Sequence, residues 1–230
     1  MHRLKGLQDL ATHPSAVHGI ELLGLVAVVA AVVYLLFHLA PSTIVALGVG
    51  AEVFSGNWRY MHVPLPLDRL LLTFGFLALA FRGVRNVSPE RRLLFSPLHL
   101  LMLSLVVYAT LSALWAGTLS TSLGLYAILD RLGVIPFLLF TTAPLLFGSE
   151  RGRRTLLAVL VAVGLYLGFT ALLEGVGLTR LTLPSYIHNP TVGIHFGRAR
   201  GPFVESVADG LSMFMCGVAA AVALTSWRQR

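Results

Sequence analysis

Cysteine is almost absent from this chain: Cys216 stands alone among 230 residues. An internal disulfide is therefore excluded, and so is a thiolate metal cluster, which needs several sulfur ligands. Charge is nearly as scarce, with 12% of residues charged against about 25% in soluble domains. The signatures of common soluble catalytic sites are missing too. No P-loop, dinucleotide-binding glycine fingerprint, H-E-x-x-H, G-x-S-x-G or paired-carboxylate motif occurs. No linker, low-complexity tract or internal repeat divides the chain, so residues 1–230 read as one unit.

What remains is apolar. Hydrophobic residues make up 56% of the sequence and the mean hydropathy is +0.81. A soluble fold of this size cannot bury that much apolar surface, and a bilayer supplies the second apolar solvent. Runs long enough to form membrane helices occupy 20–39, 65–81, 98–115, 131–147, 155–176 and 204–227, with a shorter run at 42–54. The expected fold is an all-α, polytopic transmembrane helix bundle of six or seven spans forming a single domain, with the lipid bilayer as its first partner. The run at 20–39 ends in His38-Leu39-Ala40-Pro41, lacks a small-x-small cleavage pattern and is followed by more apolar runs, so it is expected to stay as an anchor.

The charges that exist are arranged. Lysine and arginine outnumber acidic residues 17 to 10, for a net charge of +7 and a pI of about 10.3. The excess flanks the apolar runs, which points to the positive-inside rule rather than to nucleic acid. Arg82, Arg85, Arg91 and Arg92 lie in 82–97, Arg151, Arg153 and Arg154 in 148–154, and Arg228 and Arg230 follow the final run. One hairpin separates each cluster from the next, which places all of them on the cytoplasmic side and leaves 55–64, 116–130 and 178–202 outside. Arg3 and Lys5 ask for a cytoplasmic N-terminus as well. Both demands are met if 42–54, which follows Pro41 and contains Gly48, Gly50 and Glu52, is a half-helix; otherwise it crosses and the count is seven.

The outer loop 178–202 is the longest polar connection, and such loops carry function more often than short turns do. It ends in Arg198-Ala199-Arg200-Gly201-Pro202-Phe203. Basic residues outside oppose the topological bias, so Arg198 and Arg200 are not orientation signals. A guanidinium fork matches phosphate oxygens, while the bland alternative is snorkelling among lipid headgroups. Gly201-Pro202 forms a stiff turn beneath them. Glu174, at the outer end of 155–176, is within plausible reach of either arginine or is a solvated helix end. Asp130 and Arg131 lie at a helix boundary or inside the membrane, where charge is costly and often functional; as sequence neighbours they point to different faces and need other partners. Residues 120–129 form an amphipathic stretch suited to the membrane surface. His188 and His195 are acid–base candidates by type, but their spacing fixes no metal geometry. His38, His62 and His99 read as interfacial. Gly164 and Gly168, and Gly217 with Ala221, have the spacing of close helix crossings. No metal or cofactor is expected.

The stretch 60–227 resembles the O-antigen ligase / O-antigen polymerase family of bacterial membrane glycosyltransferases. The likeness rests on Pro64-Leu65-Pro66-Leu67-Asp68-Arg69 opening a span, on Gly148-Ser149-Glu150-Arg151-Gly152-Arg153-Arg154 leading into a span that closes with Leu172-Leu173-Glu174-Gly175, and on Arg198-Ala199-Arg200-Gly201-Pro202-Phe203, similar to the family's R-x-x-G-x-F element. The resemblance implies transfer of a glycan from an undecaprenyl diphosphate-linked donor at the outer face of the bacterial inner membrane, without metal, with Arg198 in the family arginine position and Arg200 an extra basic neighbour. Positioned cations would stabilise the departing diphosphate. Two departures stand out. Val204-Glu205-Ser206-Val207 replaces the family's Asn-Pro-Asn-like stretch. The family's large outer loop and its histidine lie beyond the region matched here, which implies an N-terminal portion with a missing C-terminal half. The competing reading is a non-enzymatic membrane protein, a transporter-like subunit or an assembly partner.

Overall fold

A proline at the start of a helix costs nothing, because its missing N–H is one of the first-turn donors that lack an intrahelical acceptor. Two helices of this protein begin that way: α1 (Pro41–Ala51) and α3 (Pro97–Trp115). The computed structural model describes residues 30, 34, 38–85, 96–131, 133–194 and 196–228. The described residues are all-helical, with no strand among them. α1 runs into a short 3-10 turn at Glu52–Phe54, and a second follows at Trp58–Met61. α2 spans Leu67–Arg85, and α4 (Ser122–Tyr126) passes through a π turn at Ala127–Arg131 towards α5 (Val134–Phe147). α6 covers Glu150–Gly175, three 3-10 turns punctuate 179–203, and α7 closes the bundle at Ser206–Arg228.

Among the described residues, four helical stretches are long and apolar enough to cross a membrane: Pro97–Trp115, Gly124–Phe147, Glu150–Gly175 and Ser206–Trp227. That is fewer than the six or seven anticipated. The run at 20–39 lies mostly outside the described residues. α2 reaches 19 residues but carries Asp68 and Arg69 at its start and Arg82 and Arg85 at its end. α1 has only 11 residues, about 16 Å at 1.5 Å per residue, half of the roughly 30 Å hydrocarbon core. Within the amphipathic stretch 120–129 lie α4 and most of the π turn, and the run Gly124–Phe147 that contains them is long and apolar enough to cross a membrane.

Packing follows the small residues. The inner faces of α1 and α2 meet through Val45 and Leu72, joined by Leu146 of α5. A Cβ on Gly48 would sit 2.9 Å from Leu72, and one on Gly75 would sit 2.4 Å from Val45, so the crossing depends on both glycines. Gly164 of α6 lies against Cys216 of α7, where an added Cβ would come within 2.7 Å. Gly168, Gly217 and Ala221 do not share that role. No atom lies within 4 Å of where a Cβ on Gly168 or Gly217 would sit, Ala221 is exposed, and α7 packs through Cys216, Ala219 and Ala223 instead. On α7 the packed face is one residue away from Gly217, because a hydrophobic period fixes a helix's stripes but not which stripe finds a neighbour.

α3 shows most directly what surrounds the protein, because none of its residues is fully buried. Leu100, Leu101, Tyr108 and Leu111 are exposed around it, and Trp115 at its end is 97% exposed. Water would not tolerate this surface, whereas lipid does, and a terminal tryptophan suits the interface. His99 is a cap rather than a free interfacial group: its Nδ1 accepts the Ser96 backbone N–H at 3.0 Å. His38, by contrast, stacks on Tyr34.

Candidate functional site

The connections 55–66 and 178–205 and the α4–π turn segment 122–131 meet at one end of the bundle. Asn57 Nδ2 donates to the Pro202 carbonyl at 3.0 Å, Ser55 Oγ lies 3.4 Å from Tyr126 Oη, and the Tyr60 and Tyr186 rings are 5.8 Å apart. A small core of Tyr186, Ile187, Val192 and Val204, flanked by Tyr60 and Met61, gives the long loop its own packing. Tyr186 is sealed well enough that burial pushes its hydroxyl up from the ordinary tyrosine value, so it stays a donor, and it donates to the Pro202 carbonyl at 2.7 Å.

Arg200 organises this loop. It is 1% exposed, and its guanidinium donates from Nη1 to the Val192 carbonyl at 2.7 Å and from Nη2 to those of Ile187 at 2.6 Å and Asn189 at 3.3 Å. The Phe196 ring covers it, with its centroid 4.8 Å from Cζ. Burial lowers its proton affinity and Glu174 partly restores it. The planar fork therefore serves as a staple between chain segments rather than as an open anion receptor. Sequence reasoning placed Arg200 on the donor diphosphate; in the structure its donors are aimed at backbone carbonyls. Nothing in the local sequence distinguishes the two roles, because the acceptors are main-chain atoms.

Glu174 does meet Arg200, but through the backbone. Its Oε2 accepts the Arg200 N–H at 3.0 Å and its Oε1 the Gly201 N–H at 2.9 Å. Gly201 holds φ at +53°, and a Cβ there would sit 2.1 Å from Asp209 Oδ1. Asp209, a residue the sequence reading passed over, is 1% exposed, and neither of its carboxylate oxygens has a hydrogen-bond partner among the described residues. Val204 also takes a positive φ, at 54°, a costly conformation for a β-branched side chain. The 200–204 segment is thus a strained strap laid over Glu174 and Asp209. Glu174→Gln should loosen it: one of the two acceptors becomes a donor facing another donor, and about 1–3 kcal/mol of stability should go with it, measurable as faster proteolysis within 178–205.

Arg198 differs from its neighbour. It is exposed, and among the described residues no hydrogen bond or ion pair engages its side chain. His195 lies outside the described residues, and His188 is half-buried with an unpartnered Nδ1. Asp130 pairs with Arg69 of α2, whose guanidinium also sits 4.8 Å above the Tyr126 ring. The side chain of Arg131 lies outside the described residues. Asp68, fully buried and without a hydrogen-bond partner among the described residues, belongs to the same neighbourhood, as does Glu52, which is in electrostatic reach of Asp68, Arg69 and Asp130. No group of His, Cys, Asp and Glu among the described residues has the geometry of a metal site.

No family model, curated protein or solved structure matches the chain. Its apolar helices mark it as a membrane protein; what it does there rests on the site.

Proposed function

We propose that this chain forms the donor-binding portion of a glycosyltransferase of the O-antigen ligase/polymerase type, which moves a glycan from an undecaprenyl diphosphate-linked donor at the outer face of the bacterial inner membrane. The observation that carries the reading is the contrast between two arginines two residues apart. Arg200 is consumed by carbonyls, and that staple holds Arg198 exposed and unpaired on a fixed loop. A cation held in place at the membrane edge is suited to the charge that develops on a departing diphosphate. Arg200, Glu174 and Gly201 act here as positioning residues for Arg198. In this reading the general base comes from a further half of the family fold.

The orientation follows the arginine-rich connections, with 82–97 and 148–154 cytoplasmic and the strap end outside. α1, too short to cross, is a half-helix, the arrangement that a cytoplasmic N-terminus carrying Arg3 and Lys5 asks for. Because native Cys216 is buried, engineered thiols report cleanly. A membrane-impermeant maleimide added outside should label a cysteine at Ile194 and leave one at Arg153 unlabelled; the reverse pattern refutes the orientation.

In the complete protein, Arg198→Ala should reduce glycan transfer by about 10²–10³-fold, the range seen when a transition-state donor is removed, while membrane insertion is unchanged. Transfer at the wild-type rate would overturn the assignment. The π turn that interrupts Gly124–Phe147 favours a second reading, a transporter-like subunit, since broken helices line transport sites. A glycan-transfer assay that stays silent with the complete protein would favour it.

A further inference from the structure

The chain leaving α6 turns back on itself. Two hydrogen bonds reverse it: the Leu178 N–H donates to the Leu173 carbonyl at 2.8 Å and the Gly177 N–H to that of Glu174 at 3.2 Å. That pair closes a helix through a left-handed residue, and Gly177 supplies it at φ +78°. A 3-10 turn follows at Thr179–Leu181 and packs against α6. Two residues on, the Leu183 carbonyl accepts the Tyr166 hydroxyl at 2.6 Å. Tyr166 lies nine residues before α6 ends at Gly175, about 14 Å along the axis at 1.5 Å per residue. A phenol side chain cannot span that distance, so Leu183 lies below the level of the helix end rather than above it.

α6 is long and apolar enough to cross the bilayer. After its basic first turn, residues 155–175 measure about 30 Å, the thickness of the hydrocarbon core. Gly175 therefore sits near the acyl boundary, and a chain that descends from it enters lipid. The side chains suit that depth. Val176, Leu178, Leu181 and Leu183 are each more than half exposed, while Thr182 is buried and donates to the Thr179 carbonyl at 2.6 Å. Water would leave these apolar groups unburied. On α6, Leu165, Phe169 and Leu172 are exposed at spacings of four and three, with Val176 the next step, so the lipid-facing stripe runs unbroken into the segment. Its single charge, Arg180, is exposed, and an arginine can lay its stem among apolar groups and lift its guanidinium to headgroup phosphates. Irregular backbone is not tolerated facing the hydrocarbon centre, which sets the segment at the boundary, where interfacial elements sink apolar groups by about 5–10 Å.

We propose that residues 176–183 form an interfacial anchor rather than a water-facing loop: Leu178, Leu181 and Leu183 are seated among the phospholipids of the leaflet at the strap end, and Tyr166 tethers the segment at that depth. The seat depends only on α6 crossing the bilayer, whatever the protein transfers.

The test attaches a nitroxide spin label to Leu181→Cys or Leu183→Cys in the full chain, reconstituted with phosphatidylethanolamine and phosphatidylglycerol. Leu165→Cys on the lipid face of α6 and Thr191→Cys on the exposed part of the loop serve as references. Collisions with oxygen, which concentrates in lipid, are compared with collisions with a water-soluble nickel chelate present on both sides. Labels at 181 and 183 should favour oxygen, as the label at 165 does, while the label at 191 favours the chelate. Labels at 181 and 183 that meet the chelate as freely as 191 would overturn the proposal. Labels that meet neither reagent would overturn it as well, because a second copy of the chain would then cover the segment. Tyr166→Phe keeps the ring and removes the donor, so it should raise chelate collisions at 183 several-fold and leave 165 unchanged; no rise at 183 would overturn the tether. If Tyr166→Phe fails to fold, the labels in the otherwise unaltered chain still decide where the segment sits.

Discussion

Replacing Arg200 with alanine is expected to dismantle the loop 178–205. The substitution removes the donors to the carbonyls of Ile187 and Val192 and one donor to that of Asn189, which keeps the Val192 N–H, and each of the two acceptors left buried costs roughly 1–3 kcal/mol. It also empties the space under Phe196. The combined loss should be about 3–5 kcal/mol, the size of effect seen when a buried charged group is deleted from its partners. Arg200→Lys should recover little, because an ammonium on a flexible stem cannot reach three acceptors with the geometry of a planar fork. Limited proteolysis of the protein in detergent reads this directly: cleavage within 178–205 should become rapid in both variants while α6 and α7 stay intact. If Arg200→Ala kept the loop resistant, the staple would not be what holds it.

Gly201→Ala is expected to be nearly as damaging, for two separable reasons. At φ +53° an L side chain costs about 1–2 kcal/mol, and the new methyl group would overlap the Asp209 carboxylate, with Oδ1 at 2.1 Å and Cγ at 2.7 Å, adding about 1–3 kcal/mol of overpacking. Truncating Asp209 removes the second cost and leaves the first. The double variant Gly201→Ala with Asp209→Ala should therefore melt higher than Gly201→Ala alone, a coupling that thermal unfolding of the two singles and the double resolves. Equal melting of Gly201→Ala and the double variant would mean that the strap relaxes away from Asp209.

These two residues mark where sequence reasoning reached and where it stopped. The apolar runs, the weakness of 42–54 as a span and the singling out of Glu174, Arg198 and Gly201 all came from local features: hydropathy, a proline, a charge against the topological bias. The pairing of Asp130 with Arg69 was not legible, since it joins helices 61 residues apart. Asp209 was invisible for the same reason: only the fold lays Gly201 across it. The α6–α7 contact was half legible. Gly164 was identified, but its partner is Cys216, a residue that reads as an inert thiol and turns out to be a packing surface.

The cage around Arg200 also decides how the loop responds to salt. Its two short hydrogen bonds go to buried, uncharged carbonyls of Ile187 and Val192, so counterions have little to compete for there. Exposed pairs such as Arg154 with Glu150 fade once mobile ions shorten the screening length to a few ångströms. The loop 178–205 should therefore keep its shape at high and at low ionic strength alike.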